Sequence, residues 1–62
     1  MDKNEAIEKL RSFKERSGWS YKKLSEHMKI HSQTIYGWLA GKHDISDIAL
    51  DRLRTFLRVY AY

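Results

Sequence analysis

The chain has 62 residues, carries 12 basic against 8 acidic side chains for a net charge of +4, and contains neither cysteine nor proline. A chain this short buries only about 60% of the surface that its unfolded form exposes, which leaves one domain, spanning residues 1–62, and little room for an active-site cleft. The lack of cysteine excludes disulfides and thiolate metal ligands.

No apolar run approaches the roughly 18 residues of a membrane span, and the first residues are too polar for a secretory signal. We therefore expect a cytoplasmic protein.

The positive charge is concentrated in the middle of the chain. Residues 18–43 hold four basic residues and one acidic residue, whereas residues 44–62 hold three of each. A local excess of positive charge attracts polyanions to the surface that carries it, because the polyanion releases its bound counterions when it binds there.

The first predicted element is an amphipathic helix. Ala6, Leu10 and Phe13 recur at helical spacing, and charged residues occupy the other positions. Asp2 can cap its start, and Gly18 can take the left-handed conformation that ends it.

A second helix is predicted to begin after Ser20, whose hydroxyl can cap an exposed amide. Trp19 and Leu24 stand at the positions of a hydrophobic staple, and Leu24 and Met28 form the buried side. We interpret Trp19 as a packing residue; the alternative is a stacking platform for single-stranded bases.

The third helix has two possible caps. His31 places Ile30 and Ile35 in staple positions, whereas Ser32 has the better capping chemistry, and we favour His31. The inner face is predicted to contain Ile35, Trp38 and Leu39, and Gly41 closes the helix.

The final segment repeats the helical rhythm over about 14 residues, a length of roughly 21 Å. Its apolar positions are Ala49 or Leu50, Leu53, Phe56, Leu57 and Tyr60. Residues 42–47 are compatible with a further short helical turn, and the sequence does not decide whether it forms.

The C-terminal residues Val59, Tyr60 and Tyr62 are compatible with core packing, with a frayed tail or with a dimer contact. We favour the dimer contact.

Two short helices joined by only residues 29–31 must cross steeply, which predicts a helix-turn-helix over residues 20–40. The stretch from Trp19 to Lys42 resembles the Cro/C1-type (XRE-like) helix-turn-helix family. The resemblance implies a compact all-α, lambda-repressor-like domain of four to five helices that binds double-stranded DNA and regulates transcription, as in phage or mobile-element repressors. The matching residues are Leu24, Ser25, Met28, Ile30, Thr34, Ile35, Trp38, Leu39, Gly41 and Lys42.

Three positions depart from the family pattern. Ser25 replaces the usual alanine, no proline follows Gly41, and Lys29 stands where the family has glycine in the turn. A non-glycine residue in the left-handed region costs on the order of 1 kcal/mol, which the motif tolerates.

The resemblance implies that bases are read near the start of the third helix, by Ser32, Gln33, Tyr36 and Gly37, with His31 at the edge. Gln33 suits adenine because its amide both donates and accepts hydrogen bonds, and Tyr36 suits a thymine methyl or a phosphate. At Gly37, either the backbone comes close to DNA or the position contacts no base.

Phosphates are expected at the start of the second helix, where free amides lie near Ser20 and Tyr21 with Lys22 beside them. Lys42 and His43, just beyond the third helix, form the second expected contact. Three or four such contacts per subunit predict a slope of about −3 to −4 for log affinity against log salt, and two subunits would double it.

We predict no catalytic site, no metal, no cofactor and no small-molecule substrate. His27 and His31 are separated by a helix break and lack carboxylate or thiolate partners. Ser46 and its polar neighbours offer no oriented nucleophile and base. The rival to DNA binding is a protein-interaction or antitoxin-like module that keeps the architecture.

Overall fold

The computed structural model describes residues 2–61, which form four α-helices and no strand. The predicted helices are confirmed, and residues 41–46 form a loop instead of a fifth helix. None of the described helices has the length and apolar character needed to cross a membrane. The helices are α1 (Lys3–Ser17), α2 (Tyr21–Met28), α3 (Ser32–Ala40) and α4 (Asp47–Tyr60).

Each helix begins at a side chain that accepts a hydrogen bond from a free backbone amide. Asp2 accepts from the amide of Glu5 at 2.7 Å, and Ser20 accepts from that of Lys23 at 3.1 Å. Ser46 caps α4 in the same way, at 3.2 Å from the Ala49 nitrogen. Such caps stabilise a helix by about 1 kcal/mol each, which matters in a chain this small.

The cap of α3 is His31, as predicted. Its Nδ1 accepts from the amide of Gln33 at 3.2 Å, and Ser32 is the first helical residue.

The α2–α3 connection turns through a left-handed residue, Lys29, with φ 58° and ψ 42°. The Lys29 amide donates to the Ser25 carbonyl at 2.8 Å, and its carbonyl accepts from Nη1 of Arg52 at 2.9 Å. The turn is therefore closed by backbone hydrogen bonds and tied to α4, which compensates for the absence of glycine.

One hydrophobic core joins all four helices. α1 packs against α3 and α4, and α2 packs against the same two helices. Most of the buried core residues were predicted from the sequence. Ile45, in the loop before α4, was not predicted, and Leu39, which was predicted on the inner face of the third helix, is only half-buried. The Cα radius of gyration is 10.2 Å, against about 10.6 Å expected for a compact domain of this length. The buried residues are Ala6, Leu10, Phe13, Leu24, Met28, Ile35, Trp38, Ile45, Leu50, Leu53, Phe56 and Leu57.

Trp19 packs at the edge of this core. Its ring contacts Phe13 and Phe56 edge-to-face, with centroid distances of 5.2 and 5.7 Å. The ring of Tyr60 lies on the same cluster, 5.4 Å from Trp19. Its packing against these side chains agrees with the structural interpretation of Trp19.

The left-handed turn gives a first prediction. We expect Lys29→Gly to be more stable than Lys29→Ala by about 0.5–1 kcal/mol. Glycine relieves the left-handed strain that alanine retains, and its larger loss of backbone entropy on folding offsets only part of this gain. Urea unfolding of the two variants measures the difference. An alanine variant of equal or greater stability would contradict the strained turn.

Candidate nucleic-acid interface

The two sides of α3 differ in exposure. Ile35 is fully buried and Trp38 retains 4% of its exposure, so this side of the helix belongs to the core. On the other side Gln33 is exposed and Tyr36 retains 46% of its accessible surface. His31 is exposed beside them and Ser32 is half-buried. The outward direction expected for Gln33, Tyr36 and His31 is therefore present.

Arginine side chains contact the backbone in the last turn of α3 and in the turn that precedes this helix. Nη2 of Arg11, on α1, donates to the carbonyl of Leu39 at 2.7 Å, and the same guanidinium pairs with Glu8. Arg52 holds the turn that precedes α3 through the Lys29 carbonyl. Carbonyls in the last turn of a helix lack intrahelical partners, and an arginine there satisfies one and interacts favourably with the helix dipole.

Gly37 does not face outward, contrary to expectation. It is buried, because the imidazole of His43 lies over it, with Nε2 3.3 Å from the Thr34 carbonyl oxygen. A Cβ added at Gly37 would overlap the His43 ring atoms. The glycine thus makes room for His43, and the outward position expected for Gly37 is not observed.

The candidate phosphate-binding residues fall into two groups around α3. Ser20 and Lys22 are exposed at the start of α2, where the Ser20 hydroxyl is engaged by its capping bond. Lys42 and His43 follow α3 and are also exposed. Tyr21 is half-buried against α3.

Tyr21 and Tyr36 connect the two groups. Their rings meet edge-to-face at a centroid distance of 5.5 Å, and Nζ of Lys42 lies 5.3 Å from the centroid of Tyr36. Residues from α2, α3 and the following loop therefore share one surface. Lys14 of α1 joins it through Tyr21, at 4.4 Å from the ring centroid, and sequence reasoning did not select it.

The proposed dimer residues lie at the end of α4. Val59 retains 63% exposure and Tyr60 retains 44%, although one face of the Tyr60 ring is occupied by the Trp19 cluster. Ile48, near the start of α4, is 77% exposed. Tyr62 lies outside the described residues.

His27 has structural contacts. Its Nδ1 lies 2.9 Å from the Lys23 carbonyl oxygen, and its ring lies between Trp19 and Tyr60 at 4.8 and 5.5 Å. Across residues 2–61, no group of three or more histidine or acidic side chains is positioned to hold a metal ion.

Comparisons with protein-family models, curated proteins and solved structures find no match for this chain.

The contact between His43 and Gly37 generates a second prediction. Gly37→Ala should stabilise the His43→Ala variant by about 1 kcal/mol, because alanine favours a helix over glycine by that amount. With His43 present the gain should be smaller, since the new methyl group displaces the imidazole from its site. Unfolding free energies of the two single variants and the double variant measure this coupling. Equal effects of Gly37→Ala in both backgrounds would show that the ring does not rest there.

Proposed function

We propose that this chain is a sequence-specific double-stranded DNA-binding protein, in which α2, residues 29–31 and α3 form a Cro/C1-type helix-turn-helix and α3 enters the major groove. The observation that carries the proposal is the exposed face of α3, with Gln33 and Tyr36 outward and Ile35 and Trp38 fixed in the core. A helix held at both ends presents these side chains in a fixed direction, which base recognition requires.

The dimensions of DNA agree with this role. The B-form major groove is about 12 Å wide and a helix with its side chains is about 10–12 Å across, so one helix fills the groove. Gln33, in the first turn of α3, is then placed to pair with adenine N6 and N7, and Tyr36 reaches a thymine methyl or a phosphate one turn later. His31 and Ser32 lie at the edge of the same contact.

Basic and polar groups on both sides of that contact support phosphate binding. The start of α2 offers free amides with Lys22, and Lys42 and His43 follow the end of α3. These groups fix the position of the helix along the duplex without reading sequence.

We further propose that the protein acts as a repressor-like transcription regulator and binds as a dimer. Regulation follows from the family resemblance, and the second copy is suggested by exposed Val59, Tyr60 and Ile48 on α4. A two-fold dimer would contact two half-sites about 34 Å apart, so a selected site should be palindromic.

The alternative is a protein-interaction or antitoxin-like module with the same architecture. The apolar exposure of Ile48 and Val59, together with the loss of Gly37 from the outward surface, favours it. A chain of this kind would bind no duplex even at low salt, whereas the first proposal requires binding that falls steeply with salt.

Selection from a randomised duplex pool tests base reading directly. Gln33→Ala should abolish preference at one base position of each half-site and cost about 1–3 kcal/mol there, because the bidentate amide contact is lost. Asn4→Ala, which removes an exposed amide from α1, is the matched control and should leave the selected sequence unchanged. An unchanged preference in the Gln33 variant would remove this residue from the base-reading set.

Lys42→Ala should weaken binding to all duplexes about equally and reduce the salt slope by about 0.9 for each bound subunit, since each subunit loses one phosphate contact. Fluorescence anisotropy with the selected and a scrambled duplex, at several salt concentrations, measures both quantities. A loss confined to the selected duplex would assign Lys42 to base reading instead.

A further inference from the structure

Four side chains from separate parts of the chain form a continuous row beside α3. Nζ of Lys14 lies 4.4 Å from the centroid of Tyr21, the Tyr21 and Tyr36 rings meet at 5.5 Å, and Nζ of Lys42 lies 5.3 Å from the centroid of Tyr36. This lysine–tyrosine row, consisting of Lys14, Tyr21, Tyr36 and Lys42, crosses from α1 over α2 and α3 to the following loop.

The tyrosines restrain the lysines without neutralising them. An ammonium over an aromatic face is attracted by the ring quadrupole and keeps its full charge, whereas a carboxylate partner would cancel much of it. Ordering a lysine side chain costs rotamer entropy, and the tyrosine contact meets part of that cost before an anion binds. The row therefore presents two pre-oriented positive charges with two phenol groups between them.

The surroundings of the row are mixed in charge. The groove between Tyr21 and Tyr36 is lined by Lys14, Arg11 and Glu15. The Arg11 guanidinium is already engaged with the Leu39 carbonyl and with Glu8. Lys14, which is half-buried, and Lys42, which is exposed, are consequently the cations of the row that remain to meet an external anion.

The position of the row indicates which anion it meets. Tyr36 is exposed on α3, one turn beyond Gln33, and the row connects it through Tyr21 of α2 to Lys14 of α1. When a helix fills the major groove, the residues beside that helix face the phosphate strands that border the groove. The residues that the row joins to α3 are therefore suited to contact one of those strands.

We propose that the lysine–tyrosine row binds the phosphodiester backbone of duplex DNA, with Lys14 supplying a phosphate contact from α1. This inference rests on the proposed function and extends the contact surface from the helix-turn-helix to the first helix. Lys14 contributes to binding whatever the base sequence, because it contacts the DNA phosphate backbone.

Lys14→Ala, with Arg16→Ala as the matched control, tests the inference. Both variants remove one positive charge from the last turn of α1, but Arg16 lines a different groove, beside Ala61 at the end of α4. Anisotropy titrations of random-sequence and selected duplexes at several salt concentrations should show, for each bound subunit of Lys14→Ala, a salt slope shallower by about 0.9 and an affinity roughly three- to tenfold lower near 0.1 M salt. The control should retain the wild-type slope.

A second pair of variants tests the role of the ring. Tyr21→Phe keeps the aromatic face and should leave the Lys14 contribution to the salt slope intact, whereas Tyr21→Leu should reduce it. In the Lys14→Ala background Tyr21→Leu should cost less affinity than in the wild type, and equal costs in both backgrounds would overturn the proposed coupling. Unfolding curves confirm that each variant is folded under the titration conditions.

The outcomes separate the two proposals. If the wild type binds duplex and Lys14→Ala loses no more than Arg16→Ala, the row is not a phosphate site although the proposed function stands. A loss confined to the selected sequence, or a preference for single-stranded DNA stacked on the tyrosines, would also overturn the inference. If the wild type binds no duplex at any salt concentration, both proposals fail together.

Discussion

The burial of one side of α3 is the constraint on which the rest of the structure depends. Ile35 and Trp38 are held in the common core, and this fixes which side chains of α3 face solvent. A rotation of the helix by about 100°, the angle of one residue, would bring polar side chains into the core and expose the tryptophan, at a cost of several kcal/mol. The short connection at residues 29–31 and the Arg11 contact with Leu39 oppose the same rotation from the two ends.

The domain achieves this orientation with few residues because polar contacts act at the helix ends, where backbone groups lack partners. Asp2, Ser20, His31 and Ser46 accept from amides at the helix starts. Arg11 and Arg52 donate to carbonyls at the ends of α3 and α2. Each contact is worth about 1 kcal/mol, and their sum is a substantial fraction of the stability expected for a domain of this size.

Local features of the fold were predictable from the sequence because they depend on neighbouring residues. Helical periodicity located all four helices, and the staple argument selected His31 over Ser32 as the cap of α3. The left-handed conformation of Lys29 was also predictable, because this residue stands where the family that the chain resembles usually has glycine.

Contacts between distant residues were not predictable in the same way. Arg11 and Leu39 lie 28 positions apart, and no periodicity relates them. The outward placement expected for Gly37 failed because it depends on His43, whose ring fills the space above a glycine only once the loop folds back over α3. The Lys14 contact with Tyr21 likewise crosses the break between α1 and α2, two helices that do not pack on each other, so helical periodicity does not relate these residues.

The most direct test of the account is an amide NMR titration of the folded chain with its selected duplex at low ionic strength. We predict the largest shifts at Gln33, Tyr36 and Lys42, with small changes at Ile48 and Val59 apart from those caused by dimer formation. Unchanged α3 signals at saturating duplex, or perturbation confined to α4, would contradict the claim that the exposed side of α3 meets DNA.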